Sequence, residues 1–275
     1  ISQAADLIKA ASAILITAGS GMSVDSGLPD FRGPEGFWRA YPALRHTGLR
    51  FEEMANPWTF ERDPALAWAF YGHRLNLYRE TEPHAGYRKL LDIAAGRPCF
   101  VVTSNVDGAF QKAGFDEDQV YEIHGSIHHM QCTEPCSGEI WPSDRTHIDI
   151  DAEAFRALGD LPFCPHCYST ARPNILMFGD GQWVSRRSDL QQQRFSRWLD
   201  GVQGLEGGLV IMEFGAGTAV PSIRYLSEQT SRRLNAPLLR INPRESQCGL
   251  DNAVSLPMGG LAAIEEIENW FLTAM

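Results

Sequence analysis

The sequence predicts an α/β fold, a Rossmann-like parallel sheet with helices on both faces, plus a small cysteine-bearing domain inserted in the chain. Three observations predict it: short continuous apolar runs that end in small or polar residues, segments of helical periodicity between those runs, and two close cysteine pairs that interrupt the alternation. Ala13-Ile-Leu-Ile-Thr17 reads as a strand buried on both faces, ending in Ala18-Gly19-Ser20-Gly21. Phe100-Val-Val-Thr103 leads into Ser104-Asn105-Val106-Asp107, and Gly208 to Glu213 leads into Gly215-Ala216-Gly217-Thr218. Pro237 to Ile241 leads into Asn242-Pro243. Helical periodicity covers Pro64 to Tyr78, His84 to Ala94, Pro221 to Leu234 and Leu261 to Leu272, and Ile1 to Ala11 starts as an amphipathic helix. In a parallel sheet of this kind, ligands bind beyond the carboxyl ends of the strands, where the polar residues just named lie.

Composition narrows the partners. The 275 residues carry 24 Lys and Arg against 34 Asp and Glu, a net charge of −10, and 44% of them are hydrophobic, so the chain is globular rather than disordered. Phosphate backbones need clustered Lys and Arg, so nucleic acid is not expected as a partner. No apolar run reaches the roughly 18–20 residues that cross a bilayer, so no membrane association is expected. Ile1 to Ala11 carries no basic segment or cleavage site, and the expectation is a soluble, cytoplasmic monomer.

Four of the six cysteines form two pairs, Cys132-Thr-Glu-Pro-Cys136 and Cys164-Pro-His-Cys167. Two such knuckles can place four thiolates around one tetrahedral, structural zinc ion, and the alternative is two disulfides, as a secreted chain would carry. His128, His129 and His166 are nearby alternative ligands, although four cysteines suffice. Cys99 reads as a core residue and Cys248 is uninformative. Gly19-Ser20-Gly21 fits a phosphate-binding turn or a purely structural one, because the full Gly-x-Gly-x-x-Gly spacing is missing.

A longer match settles between these readings. Gly19-Ser-Gly-Met-Ser-Val-Asp-Ser-Gly-Leu-Pro-Asp-Phe-Arg-Gly33 resembles the sirtuin signature Gly-Ala-Gly-x-Ser-x-x-x-Gly-Ile-Pro-Asp-Phe-Arg-Gly. Ser104-Asn105-Val106-Asp107 resembles that family's Gln-Asn-Ile/Val-Asp, Ile123-His124-Gly125 its His-Gly element, and Phe178-Gly179-Asp180 its Phe-Gly-Glu strand, with Arg172-Pro173 upstream. The resemblance implies an NAD-dependent acyl-lysine deacylase that yields nicotinamide, O-acyl-ADP-ribose and free lysine. Its partner would be an acylated-lysine protein or peptide. It implies one structural Zn2+ on Cys132, Cys136, Cys164 and Cys167.

The catalytic positions carried over are His124, as general base on a ribose hydroxyl, Asn105 and Asp107. Imidazole suits the first role because its pKa lies near working pH. The cofactor-binding positions are Gly19, Ser20, Gly21, Ser23, Asp30, Phe31, Arg32, Ser104, Asn105, Asp107, His124, Gly215, Gly217, Thr218 and Asn242. Phe31 would shield the reactive ribose, Arg32 would face the phosphates, and Asn242 would bind the adenosine ribose. Asn105 and Asp107 also suit helix capping, and the two roles are compatible. Substrate would be met by Tyr71, Arg74, Ile175, Met177, Phe178 and Gly179. By the same likeness residues 1–30, 80–126 and 175–275 form the Rossmann-like domain, 31–79 a cofactor loop and helical segment, and 127–174 the zinc module.

Tyr71 and Arg74 share a helical face at i and i+3. Sirtuins that remove succinyl, malonyl or glutaryl groups carry Tyr-x-x-Arg there, which implies that Arg74 pairs with an acyl carboxylate; a solvated Arg beside a core Tyr is the plain alternative. Five departures from the pattern are visible. Ser104 replaces the usual Gln, Ala109-Phe110-Gln111 replaces Leu-His, the turn from Gly215 to Pro221 is short, the first knuckle has three intervening residues, and Asp180 replaces Glu. Two rival functions use the same groups: an NAD hydrolase or ADP-ribosyltransferase, and a non-catalytic NAD- or ADP-ribose-binding module.

Overall fold

The computed structural model describes residues 1–29, 41–47 and 49–273; Asp30, Phe31 and Arg32 lie outside the described residues. Helix α1 (Ser2–Ala10) leads into β1 (Ala13–Ala18), whose six residues are all buried, as its uninterrupted apolar run requires. A 3₁₀ helix (Ser20–Ser26) follows, then the short α2 (Phe51–Met54) and α3 (Pro57–Arg62), and the long α4 (Pro64–Glu80). Both α3 and α4 start on a side-chain cap followed by proline: Asn56 accepts from the Trp58 amide and Asp63 from the Leu66 amide. Next come α5 (Ala85–Ala94), β2 (Cys99–Thr103), α6 (Ala109–Lys112) and β3 (Val120–Glu122).

Five strands then run from β4 (Gly125–Cys132) through β5 (Ile140–Pro142), β6 (Asp149–Asp151) and β7 (Arg156–Leu158) to β8 (Ala171–Ile175). The chain returns through α7 (Arg186–Val202), β9 (Leu209–Phe214), α8 (Ser222–Leu234), β10 (Leu238–Ile241), β11 (Ala253–Leu256) and α9 (Gly260–Thr273). The main sheet is parallel throughout, in the order β11-β10-β9-β1-β2-β3. The chain therefore builds outward from β1 in both directions, and the strand order reverses between β1 and β9. That reversal opens a crevice beyond their carboxyl ends.

Alternate residues of β1 serve two cores. Ile14 and Ile16 face α1, α5 and α9 through Ile8, Leu90 and Ile264, whereas Ala13 and Leu15 face α7 and α8 through Phe195, Leu199 and Ile223. A third core, rich in aromatic residues, packs α4 against the antiparallel sheet β5-β4-β8 and the hairpin β6–β7. Trp68 Nε1 donates to the Ala171 carbonyl at 2.9 Å and ties α4 to β8.

The four expected strands are present, as are the expected helices. Edge strands β3 and β11 are too short, at three and four residues, to leave a pattern. Helix α7 was hidden for another reason: its buried face includes Ser188 and Gln191, which bond the main chain of Glu122, so its apolar period is broken. Cys99 is half-buried at the rim of the first core rather than inside it, and burial pushes its thiol up to about 12.

Candidate active site

Two glycine turns meet at the crevice. Gly21 N–H donates to the Gly215 carbonyl at 3.1 Å, and a Cβ on Gly19 would stand 2.8 Å from that same oxygen. Gly215 has φ +57°, and a Cβ there would lie 2.4 Å from the Gly21 backbone. Glycine at 19, 21 and 215 is thus demanded by backbone packing between the turns after β1 and β9.

Beside these turns lies a cavity of about 230 Å³. It brings together Ser20, Ser23, Ser104, Asn105, Asp107, His124, Tyr71, Arg74, Ile175, Met177 and Phe178 of the residues singled out above. Gly19, Gly21, Gly179, Gly215, Gly217, Thr218 and Asn242 are not in its wall. Leu28, Phe51, Tyr78, Val106 and Val220 are wall residues that sequence reasoning did not select.

The polar floor is a closed network. Ser23 Oγ donates to Asp107 Oδ2 at 2.6 Å, and Asn105 Nδ2 donates to Ser23 Oγ at 3.2 Å and to the Gly19 carbonyl at 3.1 Å. Because the single Ser23 hydrogen goes to Asp107, the buried Tyr87 hydroxyl, 3.1 Å from Ser23 Oγ, is the donor in that contact. Asp107 also caps α6, with Oδ1 accepting from the Ala109 amide at 3.0 Å. Capping and site construction therefore coexist in one carboxylate. With Nδ2 engaged, Asn105 offers its amide oxygen to a ligand.

His124 reaches the cavity because of the residue after it. Gly125 has φ +77°, and a Cβ there would lie 2.1 Å from the Asn174 carbonyl, so only glycine lets β4 leave His124 this close to β8. The His124 carbonyl in turn accepts from the Leu176 amide at 2.9 Å. Residues 175–178 continue β8 along the cavity, with Leu176 and Phe178 exposed at its mouth. The fully buried pair Arg172–Asp180, with both oxygens 2.8 Å from the guanidinium, closes the turn, and Asp180 also accepts from the Met177 and Gln182 amides. The shorter Asp reaches all these donors.

Tyr71 and Arg74 enter from α4 and are both buried. The Tyr71 hydroxyl has no hydrogen-bond partner among the described residues, and burial pushes its pKa up. A buried hydroxyl left unpaired costs about 1–3 kcal/mol, so this one marks a place for a ligand.

The outer turn is differently arranged. Thr218 donates through its amide and hydroxyl to Glu245, and these bonds hold the Glu245 carboxyl below the usual range. Asn242 donates to the Ala216 carbonyl and accepts from the Arg244 and Glu245 amides. A ligand at Thr218 must displace or join Glu245. An acidic residue just past a strand of such a sheet is the signal that would have selected it.

The four expected cysteines converge, with all sulfurs within 4.8 Å of one another. Cys132–Cys167 and Cys136–Cys164 are 3.5 and 3.6 Å apart. A tetrahedron with Zn–S bonds of about 2.3 Å has edges near 3.8 Å, so the cluster fits a zinc-binding site, and the sulfurs stand far outside the roughly 2.05 Å of a disulfide. No fifth position is offered for chemistry.

The parallel sheet, the switch-point cavity and the four-cysteine module together define a class, and comparison identifies it: residues 19–194 match the Sir2 family, to which this chain belongs. It is 36% identical over 175 residues to an NAD-dependent protein deacylase of Pyrococcus furiosus, covering 63% of each chain. It is 32% identical over 185 residues to the mitochondrial NAD-dependent protein deacylase sirtuin-5 of Danio rerio, covering 61% of this chain and 57% of that one. The match thus spans less than two thirds of these curated relatives. Among solved structures, a Sir2 homologue in complex with NAD superposes with a TM-score of 0.76 at 23% identity, covering all of this chain and 94% of the other.

Proposed function

We propose that the protein is an NAD-dependent acyl-lysine deacylase, with a preference for acyl groups that end in a carboxylate. The observation that supports this best is the single cavity in which His124, Asn105 and Asp107 from the strand ends face Tyr71 and Arg74 from α4. One half of that set suits ribose chemistry and the other suits an acyl chain. NAD, when bound, supplies the nicotinamide leaving group and the ribose hydroxyl that receives the acyl group.

His124 would accept the proton of that hydroxyl, a role worth about 10²–10⁴ in rate. The amide oxygen of Asn105, aimed by the bonds of its nitrogen to Gly19 and Ser23, would accept from the ribose. Residues 175–178 would hold the peptide, with the exposed backbone edge pinned by Asp180. Arg74 would pair with the acyl carboxylate and Tyr71 would donate to it, an arrangement that disfavours a neutral acyl group because it leaves buried polar groups unpaired. Zinc on the four thiolates would be structural. Free thiols held for a metal fit a reducing compartment, which is the basis for a cytoplasmic location.

The test is mass-spectrometric deacylation of acetyl- and succinyl-lysine peptides, with His124→Ala as control. O-acyl-ADP-ribose formed only by the intact protein is the expected result. Rapid nicotinamide release without peptide would instead favour NAD hydrolysis. An Arg74→Met variant with unchanged succinyl preference would remove the carboxylate pairing.

A further inference from the structure

Helix α4 presents one more residue on the face that carries Tyr71 and Arg74. Tyr78 follows at i+7, and it lines the same cavity. Its hydroxyl oxygen accepts from Arg74 Nε at 3.1 Å and from Arg74 Nη2 at 2.9 Å. The guanidinium carbon also lies 5.3 to 5.9 Å from the ring centres of Phe70, Tyr78, Tyr71 and Phe51. Arg74 is therefore held in an aromatic cage at 8% exposure, with one fork of its planar group fixed by a phenol.

A guanidinium presents two forks suited to bidentate bonding, Nε/Nη2 and Nη1/Nη2. We propose that Tyr78 is a positioning residue that sets acyl selectivity: by taking the Nε/Nη2 fork of Arg74, it directs the Nη1/Nη2 fork toward the carboxylate end of the acyl chain. This rests on the reading that Arg74 meets an acyl carboxylate. The chemical type of the partner matters. A carboxylate in place of Tyr78 would fix the same fork but compete with the substrate for the charge. A phenol with an ordinary pKa near 10 stays neutral at working pH, so it fixes orientation without cancelling charge. The cation–π contacts do not distinguish one fork from the other, because they act on the face of the group. Only the Tyr78 hydroxyl selects an edge.

The experiment compares kcat/KM for one peptide carrying succinyl- or acetyl-lysine, at saturating NAD, for the full chain and for Tyr78→Phe, Arg74→Met and the double variant. Tyr78→Phe keeps the ring and removes only the hydroxyl. The succinyl-to-acetyl ratio is expected to fall about tenfold, mainly through KM for the succinyl peptide, as for loss of a hydrogen bond to a charged group. In the Arg74→Met background the same change should leave the ratio unaltered, because the fork it orients is gone. A merely structural Tyr78 would alter both substrates together and would act equally in either background. A ratio unchanged by Tyr78→Phe, with Arg74→Met still lowering it, overturns the role of Tyr78 and leaves the carboxylate pairing standing. A ratio unchanged by Arg74→Met overturns the pairing and the Tyr78 role with it. Acetyl turnover in each preparation reports whether the variant is folded.

Discussion

At the scale of single residues, the site depends on groups that hold other groups. Arg172 and Asp180 form a fully buried pair whose carboxylate also ties down the Met177 amide, so it fixes the wall that faces the acyl chain. Removing one partner of a buried pair strands the other, at a cost of about 3–5 kcal/mol. Asp180→Ala is therefore expected to lower the urea midpoint sharply and to weaken peptide binding; a midpoint within error of the parent would show that the pair is not needed. Gly125→Ala is expected to be worse for catalysis than for the sheet, since its Cβ would enter the Asn174 carbonyl and displace His124. Its expected signature is loss of turnover with near-native far-ultraviolet circular dichroism. His124, Asn105 and Asp107 were legible in the sequence because they stand in motifs directly after strand ends. Tyr78, Tyr87 and Glu245 were not, because each acts through a contact across the fold, with Arg74, Ser23 and Thr218 respectively.

At the scale of elements, legibility followed burial. Strands β1, β2, β9 and β10 lie inside the sheet and so read as unbroken apolar runs, whereas β3 and β11 are short edges and α7 spends part of its inner face on hydrogen bonds to Glu122. Strand β4 carries a consequence for pH. Burial, with Arg187 and His128 nearby, pushes His129 down to about 4 from an ordinary 6.5. The unfolded chain therefore binds a proton that the folded chain refuses between those values. Stability from this group is complete above about pH 6.5 and declines as pH falls toward about 4. Replacing His129 by Gln should flatten that part of the profile. Urea midpoints near pH 7 and near pH 5 would show this, and an equal drop in parent and variant would assign the acid sensitivity elsewhere.

At the scale of the whole molecule, the cavity lies between bodies with separate cores. The sheet is sandwiched by two clusters that draw nothing from β4 to β8, while the aromatic third core contains residues of α4 and of those strands together. The four-cysteine cluster stands at the far end of β4 and just before β8, so a bound metal would pin the antiparallel pair β4–β8, which continues into residues 175–178. Metal removal should therefore act unevenly. Loss of a structural ion forfeits folding free energy held locally by its ligands. The parallel sheet and its glycine turns, whose contacts are among themselves, should survive it. Treatment of the metal-loaded protein with a strong chelator is expected to abolish acyl-peptide binding while nucleotide binding, followed by calorimetry, persists with weakened affinity. Simultaneous loss of both in one cooperative transition would show that the cysteine module supports the entire molecule rather than the peptide wall alone.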